Sequence, residues 1–281
     1  TTHISTDHVR TSTVTLPFDI IERYRDIVIC ADIMKVNGHP FFVTTSRNLK
    51  FITGEFITNM QTRTLLTCLS NVRATYAKRG FHIRHAHMDG QFEPLVVPLA
   101  RLGITANIVS RGEHVPEIER CIRTIKERSR SVYTVLPFRH IPRRLTVELI
   151  YYSIFWLNSF PAQNGISNKY SPREIITGHT LDYNKHCQLE FGEYVQTHEE
   201  TDNTMAPRTV GAIALRPTGN TQGGHYFLSL TTGRRINRQK WTPLPMPNEV
   251  IDQVHRLART NKSPQGFAFT DRNNIPLDDD D

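Results

Sequence analysis

Three acidic residues have types and positions that could support phosphodiester chemistry: Asp32, Asp89 and Glu119. Asp32 ends an apolar run, Asp89 lies in a His-Met-Asp-Gly-Gln-Phe segment, and Glu119 lies in a sequence with helical spacing. Carboxylate oxygens suit Mg²⁺ or Mn²⁺, and a pair of such ions stabilises both the attacking and the leaving oxygen of a phosphodiester. All three are therefore candidate catalytic residues and metal ligands for cutting and joining DNA backbones.

Each of these acids also has a simpler interpretation. Asp-Gly is a common turn sequence, and a glutamate in the first turn of a helix is stabilised by the helix dipole. Glu117 competes with Glu119 for the third position. On a helical wheel Glu119 shares one stripe with Arg123 and Lys126, whereas Glu117 falls on the opposite flank. A carboxylate beside two cations suits a phosphate backbone, so we favour Glu119.

The elements around these acids predict a mixed α/β domain over 25–180. Asn37-Gly38 is a hairpin signal, and Ser171 with Glu174 forms a capping box before a helix that Gly178 ends. Periodicity and breakers predict strands over 26–36, 40–45, 49–56, 81–88 and 104–109, and helices over 62–79, 92–102, from 116, and over 143–159.

The sequence changes character after residue 187. Short strands at 193–197, 209–215, 225–230 and 234–241 alternate with turn residues, which predicts a small β-barrel or sandwich over 187–245. Residues 1–24 are rich in Thr and His and are interpreted as a lead-in arm. Residues 246–281 are polar, rich in Pro and Asn, and end in four aspartates, so they are interpreted as a linker and acidic tail.

Composition favours an intracellular protein with a polyanionic partner. The net charge is +7, and the four cysteines are far apart, without a CxxC pair. That spacing argues against a disulfide framework or a zinc knuckle and favours a reducing compartment. We find no signal peptide or membrane span. Because the chain begins with Thr1, we expect it to be a piece of a longer polypeptide.

Basic residues are concentrated in two regions. The region 203–248 contains no acid and could be a nucleic-acid surface or a basic surface over an aromatic core. The other region spans 120–144 with Glu127 as its one acid, which favours phosphate contact over a solvated helix face. The predicted DNA-binding residues there are Arg120, Arg123, Lys126, Arg128, Arg130, Arg143 and Arg144.

At these positions the chain resembles the integrase of Ty1/copia-type LTR retrotransposons. The similarity lies in Ala31–Ile33, Met88–Phe92 and Ile118–Lys126, and further on in Ser171–Gly178. The region from about 189 to 245 is similar to the SH3-like module that follows the integrase core in such polyproteins. The interval between Asp89 and Glu119 is shorter than in the retroviral pattern.

The resemblance implies a ribonuclease-H-like mixed sheet flanked by helices, followed by a small SH3-like β-barrel. It implies 3′-end processing and strand transfer by Asp32, Asp89 and Glu119 with two Mg²⁺ or Mn²⁺ ions per active site. It also implies a homo-oligomer on double-stranded DNA, both element ends and host target, without a membrane. The expected location is a cytoplasmic particle first and the nucleus at integration.

Two other functions remain open at this point. The chain could be a catalytically inactive DNA-binding remnant of a retroelement polyprotein that keeps the fold and the basic faces. It could also be a ribonuclease H proper, but such enzymes have a fourth carboxylate, for which the sequence offers no convincing candidate. Strand transfer with an Asp89 variant distinguishes the first two functions.

Overall fold

A computed structural model describes residues 12–109, 115–199, 205, 207–271 and 275–277. The chain divides into two units, each assembled from separate stretches of sequence. We call them the mixed-sheet unit (Val14–Tyr133, Ser153–Gly178 and Phe267–Asp281) and the antiparallel-sheet unit (Thr1–Thr13, Thr134–Tyr152 and His179–Gly266). These ranges differ from the contiguous domains expected from composition, because packing brings distant stretches of chain together.

The helices and strands are numbered in chain order. They are α1 (Phe18–Arg23), β1 (Asp26–Val36), β2 (His39–Ser46), β3 (Ile52–Phe56), α2 (Thr62–Ala77), β4 (His82–Met88), α3 (Val96–Arg101), β5 (Thr105–Ile108), α4 (Pro116–Val135), α5 (Arg143–Ser159), α6 (Pro172–Thr177), α7 (Tyr183–His186), β6 (Tyr194–His198), β7 (Thr209–Pro217), β8 (His225–Ser229), β9 (Arg235–Arg238), β10 (Trp241–Pro243), α8 (Asn248–Thr260) and β11 (Phe269–Thr270), with a 3₁₀ helix over Gly90–Leu95.

A mixed β-sheet forms the centre of the mixed-sheet unit. Its strand order is β3-β2-β1-β4-β5, and β11 pairs with β1. The first three strands are antiparallel neighbours, whereas β4 and β5 run parallel to β1. The β1–β2 hairpin turns at Asn37 and Gly38, which have φ angles of 50° and 76°, as the dipeptide predicts. This mixed α/β architecture is consistent with the ribonuclease-H-like core that the resemblance implies.

Two different strands pair with β1 along one edge. β4 pairs with β1 up to Ala31, opposite Met88, and β11 pairs with it from Lys35, opposite Thr270. The segment 32–34 therefore lies between the two partner strands. Since β1 and β4 are parallel and in register at Ala31 and Met88, the residues that follow these two are neighbours where the pairing of β1 with β4 stops.

The apolar core of this unit includes one face of the sheet and helix α2. Ile29 and Ala31 of β1 and Met88 of β4 are buried in the same cluster as residues of α2. The buried stripe of α2 includes Leu65, Leu69, Val72 and Tyr76, the residues whose helical spacing predicted it. Each fully buried large apolar side chain contributes about 1.5–3 kcal/mol, so this face holds the strand ends rigidly.

Most predicted elements of this unit are present, with shifted ends. β1 has the predicted bounds, and Ser171 and Glu174 form the predicted capping box before Gly178, which has φ 76°. The predicted helix over 92–102 is instead a 3₁₀ helix followed by α3. Pro94 lies inside the 3₁₀ helix and lacks the backbone N–H that a regular α-helix would use there.

The antiparallel-sheet unit contains a five-stranded sheet with the order β10-β6-β7-β8-β9. All neighbouring strands in it are antiparallel. Its core contains Val195, Ala212, Ala214 and Phe227, all fully buried, with Trp241 packed against them. The predicted strand over 234–241 is two strands, β9 and β10, on opposite ends of the sheet order. The small SH3-like barrel stays a prediction.

The linker expected over 246–281 contains regular secondary structure, and the acidic tail at its end, 278–281, lies outside the described residues. Helix α8 covers Asn248–Thr260 and buries Val250, Val254 and Ala258, which recur at the four-residue spacing of one helix face. Further on, β11 joins the mixed sheet. The overall polarity of the region concealed this stripe, because a helix with one narrow apolar face is mostly polar in composition.

Of the expected lead-in arm over 1–24, the structure describes residues 12–24. Residues 1–11 lie outside the described residues. Val14 and Leu16 are buried in the core cluster of the mixed-sheet unit, and α1 follows them. These two apolar side chains are too few to form a periodic pattern, so their packing in a core could not be predicted from local sequence.

Candidate functional site

Asp32 and Asp89 lie at neighbouring positions on two adjacent strands of the mixed sheet. Asp32 follows Ala31 in β1, and Asp89 follows Met88 at the end of β4. Ala31 and Met88 are register partners in the parallel pair, so the two aspartates are the next residues on adjacent strands. The two acids, 57 positions apart in sequence, are thus brought together by strand pairing.

Gln91 connects these two aspartates through hydrogen bonds. Its backbone N–H donates to Asp89 Oδ1 at 3.0 Å, and its side-chain Nε2 donates to Asp32 Oδ1 at 3.1 Å. The first of these bonds is an N-cap, because Asp89 precedes the 3₁₀ helix. The backbone N–H of Ile33 also donates to Asp32 Oδ1, at 2.7 Å. The sequence analysis did not identify Gln91.

A cleft of about 410 Å³ opens beside these residues. Its lining includes Asp32 and Gln91 and three charged residues of α4, Glu119, Arg123 and Lys126. The helical wheel predicted that those three share one stripe, and they do face the same cleft. Asp89 is not among the described residues that line it and is linked to it through Gln91.

Glu117 has a different environment from Glu119. Its carboxylate forms an ion pair with Arg47 at 2.7 Å, and it does not line the cleft among the described residues. Burial opposes its ionisation, but a backbone hydrogen bond and the Arg47 guanidinium outweigh that and lower the pKa of Glu117. Glu117 is thus engaged in an ion pair at the start of α4, while Glu119 faces the cleft.

The carboxylate oxygens of Asp32 and Asp89 are suitable ligands for a hard divalent cation. Mg²⁺ is commonly held by one or two carboxylates together with water and substrate phosphate oxygens, and Asp32 and Asp89 supply such a pair. Among the described residues, no three His, Cys, Asp or Glu side chains are grouped closely enough to hold a metal ion. Glu119 therefore shares the cleft with Asp32 without closing a three-carboxylate cluster, and its role as a metal ligand stays a prediction.

The C-terminal segment forms part of the cleft wall, which the sequence did not predict. Thr270, Asp271 and Leu277 line the cleft. Phe269 is 1% exposed, and Lys126 and Arg130 lie over its ring at 5.7 and 5.2 Å from the centroid. Such cation–π contacts contribute about 0.5–1 kcal/mol at exposed sites. Nothing in the local sequence of this segment indicates its pairing with β1.

The predicted DNA-binding cations do not all belong to this cleft. Arg123 and Lys126 line it, and Arg120 and Arg128 are exposed elsewhere on α4. Arg143 and Arg144 are exposed on the first turn of α5, in the antiparallel-sheet unit. Phosphate contact by all seven stays a prediction; of these seven, Arg123 and Lys126 line the cleft in the part of the chain that the structure describes.

Several cations of the region 203–248 have acidic partners distant in sequence. Arg216 and Arg235 both bind the fully buried carboxylate of Glu148, at 3.1 and 2.8 Å. Arg238 binds Glu199, and the hydrogen bond from its guanidinium is the first cause that lowers the pKa of Glu199. The absence of acids between 203 and 248 therefore does not leave these three arginines as a free basic surface.

Comparisons with known proteins give limited information. No protein-family model matches the chain, and no curated protein matches it. Among solved structures, the chain is similar to a crystal structure of the catalytic core domain of BIV integrase, with 16% sequence identity and a TM-score of 0.39. The alignment covers 53% of this chain and 92% of that one. A TM-score this low supports no inference, so the strand order and the site geometry carry the functional interpretation. In the part of the chain that the structure describes, no helix is long and apolar enough to span a membrane.

Proposed function

We propose that this chain is an integrase-type polynucleotidyl transferase that processes and joins DNA ends through Asp32, Asp89 and Glu119. The observation that carries the proposal is the placement of Asp32 and Asp89 on two adjacent parallel strands, directly after the last register pair of β1 and β4, linked by Gln91, beside a cleft that Glu119 also lines. Carboxylates on adjacent strands and on a neighbouring helix suit metal-assisted phosphoryl transfer.

The side chains have distinct roles in this proposal. Asp32 and Asp89 hold Mg²⁺ or Mn²⁺, and Glu119 faces the same cleft from α4. Two divalent ions, when bound, activate the attacking oxygen and stabilise the leaving oxygen. Arg123 and Lys126 follow Glu119 at intervals of four and three residues and receive the DNA phosphates, with an affinity that falls as salt rises.

The resemblance at Ala31–Ile33, Met88–Phe92 and Ile118–Lys126 supports a more specific form of the proposal. In that form the substrates are the ends of a Ty1/copia-type element and its host DNA, and the chain is part of a Pol polyprotein. It acts as a homo-oligomer, first in a cytoplasmic particle and then in the nucleus. The SH3-like module over 187–245 belongs to the same proposal.

A strand-transfer assay with an oligonucleotide that mimics an element end, in Mn²⁺, tests the proposal. We expect activity in the wild type and a loss on the order of 100-fold or more in Asp89→Asn, because the amide is a weak metal ligand. Asp26→Asn is the matched control, since Asp26 lies at the start of the same strand as Asp32 and pairs with Arg84 on the surface. Activity that is equal in wild type and Asp89→Asn would falsify catalysis through Asp89.

The second candidate is a catalytically inactive DNA-binding remnant. The observation that favours it is that no three metal-ligating side chains are grouped among the described residues. A remnant binds DNA with marked salt dependence but gives no strand transfer in either Mn²⁺ or Mg²⁺. Carboxylates repel one another until a cation is bound, so a looser arrangement without metal is also compatible with the first candidate.

A further inference from the structure

We propose that Gln91 is a positioning residue that holds Asp32 and Asp89 in a metal-ready arrangement. The inference rests on the proposed function, because it concerns the same two carboxylates. One residue contacts both of them with two different groups, a backbone N–H to Asp89 at 3.0 Å and a side-chain amide to Asp32 at 3.1 Å. β1 at Asp32 and the residue that follows β4 are thereby linked through hydrogen bonds in addition to strand pairing.

The chemistry of the pair determines the direction of the side-chain bond. An ionised carboxylate has only acceptor atoms, so the amide nitrogen of Gln91 faces Asp32. Oδ1 of Asp32 accepts this bond and a second one from the Ile33 N–H at 2.7 Å. Two donors on one oxygen restrict rotation of the carboxylate about its χ2 angle. A leucine or glutamate at position 91 could not donate and would leave this restraint incomplete.

The backbone around Gln91 is itself held in place. Gln91 lies in the first turn of the 3₁₀ helix, whose N-cap is Asp89. The next residue, Phe92, is 1% exposed and its ring packs edge-on against Phe42 of β2 at 6.0 Å between centroids. The Gln91 side chain therefore projects from a rigid position toward Asp32. Ligands that are oriented before the cation arrives lose less conformational freedom on binding it.

Substitution of Gln91 removes its side-chain bond to Asp32 but keeps the backbone N–H bond to Asp89, since every residue other than proline has that N–H. The substitution therefore tests the side chain alone. We expect Gln91→Leu to weaken Mn²⁺ binding by about 10-fold, since loss of an outer partner of a metal ligand typically reduces affinity 10–100-fold. The measurement is free Mn²⁺ by electron paramagnetic resonance, on the full chain and without DNA. Gln163→Leu is the matched control, because Gln163 is exposed in the same unit.

Asp32→Asn and the double variant Asp32→Asn/Gln91→Leu complete the experiment. If Gln91 acts through Asp32, the double variant binds Mn²⁺ no more weakly than Asp32→Asn alone. If Asp32→Asn reduces affinity but Gln91→Leu does not, the positioning role is overturned and the proposed metal site stands. If Asp32→Asn binds Mn²⁺ as tightly as the wild type, the proposed metal site itself is wrong.

The melting temperature of Gln91→Glu provides a second test, which can be used even if Gln91→Leu does not fold. A carboxylate opposite Asp32 adds like-charge repulsion, so metal-free Gln91→Glu should melt below the wild type. Mn²⁺ relieves this repulsion, and its addition should raise the melting temperature of Gln91→Glu more than that of the wild type. Equal Mn²⁺-induced shifts in the two proteins would show that side chain 91 does not face Asp32.

Discussion

Arginines and lysines have different partners in the two units. In the antiparallel-sheet unit, Arg216 and Arg235 bind the buried carboxylate of Glu148. In the mixed-sheet unit, Arg123 and Lys126 line an open cleft that also contains Asp32. The same residue types thus stabilise a fold in one unit and face a candidate substrate site in the other. The difference teaches that a run of cations without acids nearby in sequence does not by itself predict DNA contact, because the fold can bring a distant carboxylate to them.

The first prediction tests the structural half of this comparison and has the largest expected effect. Glu148→Gln leaves Arg216 and Arg235 without their shared carboxylate in a buried position. We expect the free energy of unfolding to fall by about 3 kcal/mol, the lower end of the range for breaking a buried ion pair, because both arginines are partly exposed. Urea unfolding followed by circular dichroism measures this change.

Glu127→Gln is the control for that substitution. Glu127 is exposed on α4, so the same change there should alter stability by less than about 0.5 kcal/mol. Similar values for the two variants would mean that Glu148 does not hold the arginines, and the cations of the two units would then no longer differ in role.

The second prediction concerns pH and the buried His225 of β8. Burial first, then the charges of His186 and Arg216, lower the pKa of His225 from 6.5 to about 3. Since its folded pKa is lower than its unfolded pKa, His225 is neutral in the folded state and protonation favours unfolding. Its contribution to stability is complete above about pH 6.5 and is lost progressively as the pH falls toward 3.

Between about pH 6.5 and pH 5 this linkage should lower the free energy of unfolding by about 2 kcal/mol, at 1.4 kcal/mol per pH unit. His225→Phe should remove this part of the pH dependence. Phenylalanine keeps the ring contacts with Phe227 and Trp241, at 5.4 and 5.6 Å between centroids in the wild type. Urea titrations of both proteins at the two pH values measure the difference, and parallel pH profiles would contradict the prediction.

The third prediction tests the functional half of the comparison, and its expected change in free energy is the smallest of the three. Arg123→Ala should weaken binding to double-stranded DNA by about 1 kcal/mol and reduce the slope of log affinity against log salt by about one. Arg234→Ala is the control, because Arg234 is an exposed cation of the antiparallel-sheet unit. Fluorescence anisotropy over a salt series measures both. An equal loss in the two variants would contradict the assignment of DNA contact to the cleft.

Local patterns predicted much of the mixed-sheet unit. The apolar run that ends at Asp32 identified β1, Asn37-Gly38 identified the β1–β2 turn, and Ser171 with Glu174 identified the start of α6. Each of these signals acts within a few residues, through backbone preferences or a nearby hydrogen bond. The apolar stripe of α8 was also present in the sequence, but the polar composition around it was given more weight.

Parts of the candidate site followed from the same local patterns. The position of Asp89 after β4, the position of Asp32 within β1 and the common stripe of Glu119, Arg123 and Lys126 could be predicted, because apolar runs mark strands and helix periodicity fixes which residues share a face. A closer look at the Asp-Gly-Gln segment could have predicted the N-cap bond from Gln91 to Asp89. Its second bond, to Asp32, could not be predicted from local sequence.

The sequence by itself thus determined most helices and strands of the mixed-sheet unit, their apolar faces and the acids that follow the apolar runs. These features depend on residues close together along the chain. Only the tertiary structure decided which distant groups meet: Gln91 with Asp32, Glu148 with Arg216 and Arg235, and β11 with β1. These contacts join residues 59 to more than 230 positions apart. Hydrogen bonds and ion pairs act over a few ångströms, so packing of the whole unit selects their partners.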